Sequence, residues 1–93
     1  MDKRFKPLSA EQQLGQRMAL IAQIEAQSGM PLGEAVRLVR TRLHLTQPEF
    51  AKLTKVAVRT LMEIEAGRGN PSLATCDKLL SPMGLKLGVV PRA

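Results

Sequence analysis

The chain has 93 residues, 44% of them hydrophobic, and carries a formal net charge of +6 with a pI near 10.3. That bounds it to one small domain whose charge suits a polyanion such as nucleic acid or an anionic membrane surface. Phe5 and Phe50 are its only aromatics, so it has almost no rings for stacking single-stranded bases, and duplex DNA is the nucleic acid that fits.

Met1 to Pro7 reads as a short basic arm carrying Lys3, Arg4 and Lys6. Ser9 and Gln12 have the spacing of a capping box and predict a helix from about Ala10. Leu14, Met18, Ile21 and Ala22 recur along it at helical spacing, and Ser28-Gly29 stops it. A second helix is expected from Pro31-Leu32, with an apolar stripe of Leu32, Val36, Val39 and Leu43 and with Arg37, Arg40 and Arg42 on its other faces. Thr46 and Glu49 form another capping box, and Pro48 suits a first helical turn, where its missing N–H costs nothing. That short helix is expected to end about Leu53 and to turn Phe50, Ala51 and Leu53 inward. After a turn at Thr54 to Val56, a further short helix carries Leu61 and Ile64 and is closed by Gly67. Ser72 caps a last helix running to about Met83, with Pro82 fraying its end and Gly84 terminating it.

Leu85 to Val90 alternates and ends in β-branched residues, so it reads as the chain's only strand. A lone strand leaves backbone groups unpaired. The same strand from a second copy would satisfy them, in a homodimer joined through Leu85, Leu87 and Val89. The expected fold is mainly α: a five-helix helix-turn-helix domain with a short C-terminal β-strand that pairs across a dimer. Residues 1–30 make the arm and an extra helix, 31–84 the helix-turn-helix domain, and 85–93 the strand and tail.

Two short helices joined by so tight a turn make a helix-turn-helix, whose second helix enters the major groove by its N-terminal end. Short helical corners also occur in ordinary bundles. Catalysis is not expected. There is one His, one Cys, no nucleophile triad and no phosphate-cradling loop, and His44 and Cys76 read as structural. No metal or other cofactor is implied. No apolar run reaches the roughly 20 residues of a membrane span, and the polar start lacks a signal-peptide core, so a cytoplasmic location is expected.

The stretch LVRTRLHLTQPEFAKLTKVAVRTLMEIEAGRGNPSLATCDKLL resembles the XRE/Cro-type helix-turn-helix family. The matching residues include Leu38, Arg42, Leu45, Thr46, Gln47, Glu49, Ala51, Val56, Thr60, Ile64, Glu65, Gly67, Pro71 and Ser72. Helices followed by a short strand are further similar to HipB-type antitoxins, which dimerise through such a strand and bind a kinase-like toxin. The helix from Ala10 to Gln27 lies outside the family pattern. Three positions depart from it. Lys55 replaces a glycine of positive φ, which costs roughly 1–2 kcal/mol in an L-residue. His44 replaces another turn glycine. Ala57 replaces the serine that usually caps the second helix, losing about 1 kcal/mol.

The resemblance implies a sequence-specific duplex-DNA regulator, a repressor acting on a palindromic operator. Thr46 and Gln47 would meet a phosphate at a helix N-terminus. Val58, Arg59, Met62 and Glu63 would face base edges. Arg59 would bond guanine O6 and N7, or only a phosphate. Val58 would touch a thymine methyl, and Glu63 would accept from cytosine N4 or orient Arg59. Met62 reads equally as partly buried core. Lys52, Lys55 and Arg68 are phosphate candidates, Ala57 opens the reading helix, and Arg40 with Glu65 would form a structural ion pair. The regulator would serve either an antitoxin, partnered by a kinase-like or ribonuclease toxin, or a standalone repressor. In the rival reading, toxin neutralisation is the main role and DNA binding is secondary.

Overall fold

Local signals fix the helix ends. The computed structural model describes residues 8–27 and 29–91, so the arm with Lys3, Arg4 and Lys6, and Ser28 of the first stop signal, lie outside the described residues. Helix α1 (Ala10–Ala26) opens with the complete capping box of Ser9 and Gln12. Helix α2 spans Leu32–Arg42 and α3 spans Gln47–Thr54. Helices α4 and α5 span Val58–Glu65 and Leu73–Leu80. A 3-10 turn at Ser81–Met83 follows α5, where Pro82 cannot continue the α-helix, and Gly84 closes it at φ 73°.

The core lies between α2, α4 and α5, with one face of α1 and of α3 added. Leu20, Val36, Val39, Phe50, Leu61 and Leu79 are fully buried in it. The stripe expected on α2 forms, with Val36 and Val39 buried and Leu32 and Leu43 packed at its margin. Polar side chains also tie α1 to the rest. Arg17 donates to Met83 O at 3.2 Å, and Arg42 donates to the amide oxygens of Gln16 and Gln23 at 3.4 and 2.8 Å.

Three expectations about faces and strands are corrected. Helix α1 buries Leu20 and packs Ile24, whereas Leu14 and Met18 are 55% and 63% exposed. Apolar residues lie all round this helix, so their spacing admits more than one inward face. In α3, Leu53 is exposed, and the inward positions are Phe50, Ala51 and Thr54. Thr54 takes an inward place without cost because its hydroxyl donates to Phe50 O at 2.8 Å.

The third correction concerns Leu85 to Val90, which forms no strand. A ladder needs an extended neighbour, and no β-strand or bridge occurs among the described residues. The segment instead folds back over its own domain. Leu85 N–H bonds Leu80 O at 3.1 Å, and the Leu85 side chain packs against the core. Leu87 and Val90 line an open groove of about 360 Å³ with Ile24, Met30, Leu32 and Ala35. Val89 points fully into solvent.

Candidate nucleic-acid interface

Helix α3, the turn after it and α4 make a unit whose conformation is set at four consecutive points. Thr46 and Glu49 close a reciprocal capping box at the start of α3, with bonds of 3.3 and 2.8 Å. Lys55 ends α3 in the left-handed region at φ 60°, ψ 38°, and its N–H reaches Ala51 O. Val56 N–H also bonds Ala51 O, at 3.1 Å, and its side chain drops into the core. Ala57 is then extended and opens α4 with no side-chain cap. His44, before α3, is likewise left-handed at φ 61°, so both substituted turn glycines keep a glycine-like backbone.

Helix α4 is divided lengthwise. Leu61, Ile64 and Glu65 point inward. Val58, Arg59 and Met62 are exposed and Glu63 is half-buried, so Met62 belongs to the surface and not to the core. Lys52 on α3, Lys55 in the turn and Arg68 after α4 are exposed, as is Thr46 at the head of α3. The unit thus offers solvent four cations and a short, partly apolar helical face.

Glu65 is the buried charge behind that face. Its carboxylate receives Arg40 in a two-point contact, Nε to Oε2 at 2.7 Å and Nη2 to Oε1 at 2.9 Å. Gln47 Nε2 adds a third bond to Oε1 at 3.2 Å. Arg40 Nη1 also donates to Leu45 O at 3.0 Å, and Arg37 Nη2 donates to Glu65 O at 3.2 Å. This network joins α2, the entry to α3 and the end of α4, with every buried charge paired. Sequence reasoning pairs Arg40 with Glu65 but misses Arg37 and the inward bond of Gln47. The three-residue spacing of Arg37 and Arg40 on one helix face is the available signal for the former.

The other candidates are dispersed. His44 is exposed and Cys76 is buried in α5. No group of three metal-ligating side chains occurs among the described residues. No described helix is long and apolar enough to cross a membrane.

A family model described as helix-turn-helix, HTH_3, matches residues 36–90. An uncharacterized HTH-type transcriptional regulator of Haemophilus influenzae is 38% identical over 52 residues, covering 56% of this chain and 53% of that protein. An immunity repressor protein of Bacillus phage phi105 is 28% identical over 61 residues, covering 66% of this chain and 42% of that protein. The chain therefore spans about half the length, or less, of these curated relatives. No solved structure matches it significantly.

Proposed function

The chain belongs to the helix-turn-helix family, HTH_3, and from that premise we infer that it is a sequence-specific duplex-DNA-binding transcriptional regulator, acting as a repressor. The observation that carries this reading is the exposed outer face of α4, bracketed by Lys52, Lys55, Arg59 and Arg68 while Leu61, Ile64 and Glu65 hold the helix to the core. A helix presented by its first turn on so rigid a seat suits the major groove. Arg59 reads guanine by its two-point contact, while Lys52, Lys55 and Arg68 neutralise phosphates. Thr46 meets a phosphate at the head of α3, and the second amide hydrogen of Gln47 is available to the same group. The names of the two relatives, a transcriptional regulator and an immunity repressor, support this role. Catalysis forms no part of it.

A palindromic operator and a homodimer through Leu85, Leu87 and Val89 complete the reading, with half-sites about one helical turn, roughly 34 Å, apart. The antitoxin variant, with a kinase-like or ribonuclease toxin as partner, rests on α1. That helix lies before the matched residues and leaves Leu14 and Met18 exposed, as a partner surface would. A neighbouring reading frame encoding such a toxin would favour it over the standalone repressor.

Binding to operator and to random duplex at two salt concentrations tests the DNA role. Arg59→Ala should cost about 1–3 kcal/mol on the operator and relax preference at one base pair per half-site. Lys52→Ala should weaken all duplexes alike and lower the salt slope by about one. Equal losses on both duplexes for Arg59→Ala would make Arg59 a phosphate anchor. No loss for either variant would remove this face from DNA.

A further inference from the structure

We propose that the outward stripe of α1, made of Glu11, Leu14, Met18, Ile21 and Glu25, is a docking seam for one helix of a different protein, apolar at its middle and carrying a lysine or arginine at each end. This rests on the partner surface read above on α1 and gives it a recognition chemistry. It does not depend on DNA binding.

Helix α1 is built inside out. Its long polar side chains serve the domain: Gln16 and Gln23 accept from Arg42, and Arg17 donates to Met83 O. Leu20 is buried and Ile24 packs with it, yet Leu14 and Met18 stay 55% and 63% exposed. Met18, two residues before Leu20, points about 160° away from it round the axis. From Glu11 to Glu25 the stripe advances by three, four, three and four residues, the repeat of a coiled-coil seam, and keeps within about 80° of arc. Ile21, at its margin, is half-buried. Beside the stripe, Ala19 and Ala22 are exposed, and a Cβ added at Gly15 would meet nothing within 4 Å, so a neighbouring helix can approach closely there.

The charges at the two ends select the occupant. Glu11 and Glu25 are exposed and stand roughly 21 Å apart along the axis, in a chain whose net charge is +6. Duplex phosphates and anionic lipid headgroups would both be repelled by this rim. A second copy of the chain fits poorly. Packed antiparallel about Met18, it sets Glu11 against Glu25 of the second copy, because each lies seven residues from Met18. Packed parallel, it sets each glutamate against itself. Like charges facing one another at a seam turn partners away, and opposite charges admit them. The occupant that satisfies both ends is therefore a helix with a cation opposite each glutamate and apolar side chains between.

The test uses three synthetic helical peptides with a leucine seam of the same spacing, identical except that both seam ends hold lysine, glutamine or glutamate. Titrated into the full chain, the lysine peptide should bind tightest and the glutamate peptide weakest, with about tenfold between them, and high salt should narrow the gap. The chain's net charge alone would give the reverse order, so this order reports the local ends. Glu11→Lys combined with Glu25→Lys should reverse the preference, and Met18→Asp should remove binding of all three peptides. These positions are exposed, and the peptide series on the unaltered chain decides the matter even if a variant folds poorly. Equal binding of all three peptides, lost in Met18→Asp, would overturn selection by charge and leave α1 a partner surface. Binding that survives Met18→Asp would place the peptides elsewhere and overturn the seam. A dimer mass of the full chain that falls to the monomer in Met18→Asp would give the seam to a second copy. No binding of any peptide would overturn both the seam and the partner reading of α1.

Discussion

Glu65 touches neither base nor phosphate in any reading of the chain, yet its carboxylate accepts from Arg40 and Gln47 and its carbonyl from Arg37. A buried ion pair of this kind specifies geometry more than it adds stability. Here the geometry it specifies is the angle of α4 against α2 and α3. Ala57 shows the opposite condition, a helix opening without a capping oxygen. Thr54 does not supply one, because its hydroxyl is turned back onto Phe50 O and Ala51 O. Ala57→Ser should therefore stabilise the fold by about 0.5–2 kcal/mol in urea unfolding. An unchanged midpoint would mean that the first N–H groups of α4 already have a partner. At this scale the residue spacing reveals the capping boxes, while the left-handed corners at His44 and Lys55 and the Arg40–Glu65 pair follow from the family resemblance. The inward bond of Gln47 escapes it, because a neutral amide at a helix start suits a phosphate as well as a carboxylate.

Helices α2 and α4 approach each other closely at a residue with no side chain. Gly33 lies in the first turn of α2, and a Cβ placed there would overlap Ile64 O and come within 3.4 Å of Glu65 O. Helix propensity alone favours alanine over glycine by about 1 kcal/mol. Backbone overlap reverses that sign, and Gly33→Ala should destabilise the fold by about 1–3 kcal/mol in urea unfolding. A stabilised variant would show that α2 and α4 can part without loss. Periodicity and caps make the helices legible in order, from Ser9 to Gly84. Two faces are not legible: α1, where apolar residues surround the axis, and the end of α3, where Thr54 and not Leu53 turns inward. Eight-residue helices have barely two turns, too few for spacing to separate a buried edge from an exposed one.

For the whole molecule, the proposed assembly rests on residues 85–90. In the single chain they lie over an apolar groove with Val89 bare and Leu87 only partly covered. If this segment pairs with its counterpart, Leu87→Asp should convert a dimer to a monomer of about half the mass in light scattering. A retained dimer mass would shift the interface to another face, and α1, with Leu14 and Met18 exposed, is the next candidate. Alternation in the tail foretells which side chains are apolar but not what they meet, because strand pairing is a property of two segments. The left-handed corners at His44 and Lys55 carry a different consequence, in the currency of chain length. Each bend accepts a changed side chain, as the histidine and lysine demonstrate, but neither accepts a changed residue count. One residue inserted between Lys55 and Val58 would need Val56 to leave the core or α4 to turn about 100° on its axis, carrying Arg59 off its face. In the exposed loop after α4, Gly67 and Arg68 N–H bond Ile64 O and Glu63 O at 3.0 and 2.8 Å, whereas Gly69 and Asn70 show no such bond among the described residues, so length variation among functional descendants of this chain should collect at 69–70 and leave the span from His44 to Val58 invariant in number.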